Sequence, residues 1–299
     1  MSSPQQPRSR LTRRTFVGAV TTIGAAVATG AVTATNAAAS TSASASAAAK
    51  VDTAVGVARF GSSVYTLGRG SQGWVLVAAN GSSRPTTGLD GADVLDLAGG
   101  PGGAIAVGAV ADGDRSIPTV WESRDGLDWQ AMTSLSGLDG HLTALAVREH
   151  DALAMGSLLT LERAPRQRIA VRYKDNRWEV SPVNGLEHTD EWTATAAAGD
   201  PGGWIVSTVD SAGSVLATSP DGVTWTASSG LVDTSIRSLA VTGAGVRWVG
   251  NAMGGSGALT GVVGAGRRPV PVAGEARALG VIGDQSYWLA GGRIVSATV

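Results

Sequence analysis

From residue 51 onward, short apolar runs alternate with clusters of Gly, Asp, Asn, Ser and Pro. Runs this brief, bounded by turn residues, predict β-strands, because a helix would need an amphipathic stretch of about 10 residues or more. One run tends to end in glycine. It recurs as Val64-Tyr65-Thr66-Leu67-Gly68, Ala104-Ile105-Ala106-Val107-Gly108 and Ala152-Leu153-Ala154-Met155-Gly156, then as Trp204-Ile205-Val206-Ser207, Arg247-Trp248-Val249-Gly250 and Tyr287-Trp288-Leu289-Ala290-Gly291. Counted at residues 68, 108, 156, 207, 250 and 291, the copies stand 40, 48, 51, 43 and 41 residues apart. Another apolar run precedes each copy, at 54–58, 94–98, 142–147, 193–197, 236–241 and 276–282. A hairpin follows, with Asn80-Gly81, Asp125-Gly126, Asp175-Asn176 or Asp221-Gly222 at its tip. Such pairs supply the positive φ that tight hairpins need.

The unit is therefore four strands, a-b-c-d, with a hairpin between c and d. A repeat of about 40–50 residues built this way is the blade of a β-propeller. The expected fold is all-β: a six-bladed propeller of four-stranded antiparallel blades occupying 51–299. The last unit ends after its third strand, so the sixth blade is expected either to be three-stranded or to borrow residues 40–50, whose Ala/Ser composition makes a poor strand. The d-to-a connections repeat as well, in Gly88-Leu89-Asp90-Gly91, Gly137-Leu138-Asp139-Gly140, Gly185-Leu186-Glu187 and Gly230-Leu231-Val232-Asp233. Their leucines are expected to pack one blade on the next.

Two hairpin tips share the pattern Ser-x-Asp-Gly-x-x-Trp: Ser123, Asp125, Gly126 and Trp129, then Ser219, Asp221, Gly222 and Trp225. Asp175 and Trp178 belong to a shorter third copy. The pattern resembles the Asp-box, or BNR, repeat of sialidase-like propellers, and these residues are read as structural: the Asp caps its own turn and the Trp packs over the hairpin. The resemblance also implies what a sialidase-like site would need, namely an arginine triad, a Tyr nucleophile paired with Glu, and an acid. The tyrosines Tyr65, Tyr173 and Tyr287 each fall inside an expected strand, and Arg115-Ser116-Ile117-Pro118 differs from the family's Arg-Ile-Pro segment by one extra residue.

The N-terminus adds a second layer. Arg13-Arg14, followed by Phe16, a Gly/Ala/Val/Thr run and Ala37-Ala38-Ala39, resembles a twin-arginine (Tat) export signal over 1–39. Residues 40–50 read as a flexible linker. Export by that route to the cell envelope or the exterior is the expected destination, with no membrane span left after cleavage. The segment to residue 39 holds four arginines and no acid, so the rest of the chain has 19 basic against 24 acidic residues. A mildly acidic protein gains nothing from phosphate electrostatics, which argues against nucleic acid as a partner. With no cysteine, disulfides and thiolate metal sites are excluded.

Candidate chemistry is expected where the b–c and d–a loops share one face. The loop 109–118 carries Asp112, Asp114 and Arg115, the loop 157–168 carries Arg166, and the d–a loops add Asp139, His141, Glu187 and His188. Trp192, near the same mouth, is the best placed to stack on a ligand. His141, His150 and His188 show no metal-ligand spacing, and no phosphate loop is present, so no metal or cofactor is expected. The leading expectation is a non-catalytic, monomeric binding protein whose partner is an envelope glycan or an exported protein. The alternative is a glycoside hydrolase or lyase using two mouth carboxylates; a third is an assembly factor for a membrane complex, as in some Asp-box propellers.

Overall fold

The computed structural model describes residues 51, 53–100, 102–148, 151–159, 167–186, 193–253, 257–265, 267–269, 276–290 and 293–298. The leader with Arg13 and Arg14, the linker, and Arg166, Glu187, His188 and Trp192 lie outside the described residues. The strands fall into six antiparallel sheets, each a blade. Blade 1 holds β1 (Thr53–Phe60), β2 (Ser63–Gly70), β3 (Gly73–Ala78) and β4 (Ser83–Pro85); blade 2 holds β5 (Ala92–Gly100), β6 (Gly103–Asp112), β7 (Arg115–Ser123) and β8 (Gln130–Ser134). Blade 3 holds β9 (Gly140–Val147), β10 (Ala152–Leu158), β11 (Gln167–Lys174) and β12 (Arg177–Ser181). Blade 4 holds β13 (Thr193–Asp200), β14 (Gly203–Asp210), β15 (Gly213–Ser219) and β16 (Thr226–Val232). Blade 5 holds β17 (Thr234–Thr242), β18 (Gly245–Ala252), β19 (Ala258–Val262) and β20 (Arg267–Pro269); blade 6 holds β21 (Ala276–Ile282), β22 (Gln285–Ala290) and β23 (Arg293–Thr298). The six-bladed propeller expected from the repeat is thus present, and its last blade has three strands among the described residues.

The core is six apolar layers, one at each seam between blades. Along β6 the alternation divides the side chains: Ala104 and Ala106 pack toward blade 1, Ile105 and Val107 toward blade 3. Both faces of an inner strand are buried, so these strands read as continuous apolar runs. The ring closes by side-chain packing. Val57 and Ala54 of blade 1 share a layer with Leu279, Tyr287 and Leu289 of blade 6. Of the nine tryptophans, Trp74, Trp121, Trp129, Trp204, Trp225, Trp248 and Trp288 are buried in these layers.

Each inner strand also carries a register shift against its b partner. In blades 2 to 5 it falls at one equivalent place, between Val107 and Gly108, Met155 and Gly156, Ser207 and Thr208, and Val249 and Gly250. At three of these places the inner-strand backbone comes close enough to favour the glycine that ends the repeated run. A Cβ on Gly108 or Gly156 would stand 1.9 Å from the carbonyl oxygen of Asp93 or His141, and one on Gly250 would stand 2.3 Å from that of Ser235. Counted from the a–b turn, the equivalent positions in blades 4 and 6 are Thr208 and Ala290, one residue from the landmarks 207 and 291 read in the sequence. The correction arises because neither position kept its glycine.

Three loop expectations are also corrected. Residues 109–118 are the ends of β6 and β7 around a two-residue turn, because Ala109 pairs with Pro118 and Asp112 with Arg115. His141 belongs to β9 and pairs with Ser157, so it stands in the innermost strand and not in a d–a loop. Gly230 and Leu231 continue β16, since Gly230 pairs with Val215.

Candidate functional site

The two Ser-x-Asp-Gly-x-x-Trp hairpins fold alike. Asp125 Oδ1 accepts from the amides of Leu127 (2.9 Å) and Asp128 (3.2 Å), and from the Ser123 hydroxyl at 3.2 Å. Asp221 Oδ1 accepts from Val223 and Thr224, both at 2.8 Å, and from the Ser219 hydroxyl at 2.9 Å. The serine oxygens accept in turn from Gly126 and Gly222, each at 2.8 Å. Amide bonds, from Leu127 and then Asp128, hold the Asp125 carboxyl below its ordinary range; those from Thr224 and Val223, with the Ser219 hydroxyl, hold Asp221 at about 2. Replacing the buried Ser123 by alanine leaves the buried Gly126 amide without its acceptor. Thermal or urea unfolding should show Ser123→Ala less stable by about 1–3 kcal/mol.

The hairpins also reach beyond their own blade. Thr87, at the end of blade 1, donates its amide to Leu127 at 2.8 Å and accepts from the Trp129 amide at 3.1 Å, while its hydroxyl donates to Asp128 Oδ1 at 2.7 Å. Asn184, at the end of blade 3, makes the same pair of backbone bonds with Val223 and Trp225 of blade 4, each at 2.9 Å. Leu89 and Leu186, from the repeated Gly-Leu connections, are buried in the same two seams. They act as the blade-to-blade contacts expected of them.

At the expected mouth, Asp139 meets the strand that carries Arg115, and each described residue has its own local setting. Asp112 and Arg115 form an exposed ion pair at 3.2 Å across their own turn, and Asp114 is exposed beside them. Such a pair contributes little to stability. Asp139 is half-buried and accepts from the Ser116 amide of blade 2 at 2.9 Å, so it tethers two blades. His141 keeps Nδ1 buried with no hydrogen-bond partner among the described residues. Among the described residues no cluster of three or more His, Asp, Glu or Cys side chains offers a metal site.

Two concavities stand elsewhere. The first is the axial channel, about 390 Å³, walled by the innermost strands of all six blades. Asp96 stands on its wall. One carboxylate oxygen accepts from the Leu97 amide and the other from the Leu145 amide of blade 3, both at 2.8 Å. Burial pushes this carboxyl up to about 7, the two amide bonds opposing the rise only in part. The sequence reading passed over Asp96 inside the run 94–98. The usable signal was a lone charge where the equivalent positions hold Gly56, Ala144, Ala196, Ser238 and Ala278. The second concavity is a cleft of about 880 Å³ between blades 2 and 3, on the face of the c–d hairpins and away from the expected mouth. Glu122, Asp125, Asp128 and Met132 line it from blade 2, with Arg148, Asp151 and Tyr173 opposite.

No known protein family matches the sequence, and no curated protein is detectably similar to it. Solved structures do share the fold. The PQQ-bound aldose sugar dehydrogenase from Streptomyces coelicolor aligns over 84% of this chain and 95% of its own, at 13% identity and a TM-score of 0.51. A catalytically inactive virginiamycin B lyase from Staphylococcus aureus with quinupristin covers 82% and 94%, at 9% identity and a TM-score of 0.48. YCF48 bound to a D1 peptide covers 69% of this chain at 18% identity and a TM-score of 0.45, and the chain spans 65% of that protein's length. All three are β-propeller proteins. The chain's own six blades make it a β-propeller, and at these identities the likeness is one of fold alone.

Proposed function

We propose that this chain is a Tat-exported propeller with Asp-box-type hairpins that binds a partner at the cell envelope without turning it over. The observation that carries the reading is the isolation of Asp96. Hydrolysis by paired carboxylates needs a protonated acid and a second, ionised carboxylate some 5–10 Å away across the scissile bond. Asp96 has the elevated pKa of such an acid, yet it is the one carboxylate among the described residues that wall its channel. Both its oxygens are occupied by backbone amides. Asp139 is likewise held by a backbone amide, and Asp112 by Arg115.

The test is an activity screen of the full chain against envelope and plant polysaccharides, with Asp96→Asn and Asp139→Ala beside it. No product is expected from any polysaccharide. Turnover that either substitution, or Glu187→Ala, abolishes would overturn the binding reading in favour of a hydrolase or lyase.

A further inference from the structure

The seam between blades 2 and 3 departs from the seams on either side of it. At those two, a Ser-x-Asp-Gly-x-x-Trp hairpin bridges the preceding blade through Thr87–Asp128 and Asn184–Thr224. There the turn also fills the seam: Gly126 packs against the Phe60 ring of blade 1. Blade 3's own c–d hairpin is one residue shorter and has neither the serine nor the glycine. It turns through Asp175 and Asn176, with φ of 52° and 62°. Among the described residues it makes no bridge to blade 2, and the segment it would meet pairs with itself through Ser136 and Leu138. The cleft between blades 2 and 3 lies beside this unbridged turn, which contributes Tyr173 and Asn176 to its lining.

The chemistry of the groove selects an occupant. Val120 is buried in the apolar layer of this seam, and Glu122, two residues further along β7, projects from the same face of the strand. Glu122 is half-buried and forms no hydrogen bond or ion pair among the described residues. An unpaired carboxylate in such a position is costly unless something else meets it. Asp125 and Asp128 add two more negative charges, although Asp125 Oδ1 caps its own turn and Asp128 Oδ1 is held by the Thr87 hydroxyl of blade 1. On the other side Arg148 is already committed: it pairs with Asp151 at 2.9 Å, donates to the Asp200 carbonyl at 2.8 Å and lies 4.1 Å from the Trp204 ring centroid. Arg124 is the remaining cation among the described lining residues, whose net charge is negative. Beside it runs β8, outermost in its sheet, with no strand on its outer edge among the described residues; Met132, the extra residue of its bulge against β7, is 46% exposed. Such an edge accepts an added strand.

We infer that the groove between blades 2 and 3 takes an extended cationic segment of a partner protein. The segment adds a strand to β8 and places lysine or arginine side chains against Glu122 and the exposed Asp125. This rests on the binding reading above and names its surface and ligand class.

The probe is a capped peptide of four Lys-Val repeats, with four Glu-Val repeats as its charge-reversed control, titrated into the full chain and followed by fluorescence anisotropy. The lysine peptide is expected to bind and the glutamate peptide is not. Affinity should fall at least tenfold in Glu122→Gln and in Met132→Lys, and should fall steeply with salt. Met132 is exposed, so Met132→Lys keeps the test valid should Glu122→Gln fold poorly. Equal binding of both peptides, or undiminished binding in both variants, overturns the assignment. So does spermine binding as tightly as the peptide, which would make the groove a site for small polycations. Failure here leaves the binding reading standing unless the polysaccharide screen also finds turnover, which is what that reading alone forbids.

Discussion

Replacing Gly88 by alanine is expected to destabilise the protein by about 2–5 kcal/mol, a large fraction of the ~5–15 kcal/mol that holds a typical domain folded. Two costs combine. Gly88 has φ of +79°, where an L side chain pays roughly 1–2 kcal/mol. A Cβ there would also stand 1.9 Å from the Trp129 carbonyl oxygen of the next blade, and relieving that overlap adds about 1–3 kcal/mol. Gly91 separates the two. Its φ is +70° but nothing lies within 4 Å of the added carbon, so Gly91→Ala should show only the conformational cost. Urea midpoints of the two variants give the comparison. Hydrogen exchange places the damage: the Thr87 and Trp129 amides, which cross the seam, should lose protection in Gly88→Ala alone. Amides of Asn184 and Trp225, at the twin seam between blades 3 and 4, should keep theirs. Equal destabilisation by the two substitutions would show that the close approach to Trp129 does not exist.

The connection that contains Gly88 illustrates how far the sequence could be read. The four Gly-Leu repeats marked the blade junctions, and Leu89 and Leu186 are indeed buried there. What no pattern in a single chain announces is that the hairpin of one blade leans across to the end of the previous one. That contact joins residues 41 apart, Thr87 and Asp128, and depends on the twist of whole blades. The strand count and order were legible because both faces of each inner strand are buried, giving runs that recur at blade spacing. The bulges were not, because a register shift changes which residues oppose one another without changing the run itself.

The candidate site was less legible than the fold for a related reason. Charged residues near loops attract notice, so Asp112, Arg115 and Asp139 were gathered into one mouth. The structure spends them on a turn and a blade tether. Glu122 and Asp96 sit inside strands, where their significance comes from neighbours contributed by other blades. The shortened hairpin at Asp175 and Asn176 was noticed as a degenerate copy. Its consequence, an unbridged turn, follows only once the intact copies are seen to bridge.

Asp96 should make the protein more stable on mild acidification, the reverse of what most paired carboxylates do. Its carboxyl is raised from 3.8 to about 7 in the folded chain. Between those values the folded state holds a proton that the unfolded state has released. The unfolding free energy therefore rises as pH falls from about 7 toward 4, and is constant with respect to this group outside that window. A shift of this size corresponds to at most about 4 kcal/mol, and water in the channel reduces it. Asp125 and Asp221 act oppositely and elsewhere: their depressed pKa values give stability that is present above about 4 and lost as pH falls below it. The two effects occupy separate ranges and can be read apart. In Asp96→Asn the amide keeps one acceptor for Leu97 and turns an N–H₂ toward the Leu145 amide, so the bond between blades 2 and 3 is lost at every pH. The stability gap between wild type and Asp96→Asn should consequently widen from pH 8 to pH 5. A gap that stays constant across that range would mean the Asp96 carboxylate titrates as an ordinary solvated acid, and that the channel wall is wetter than its packing implies.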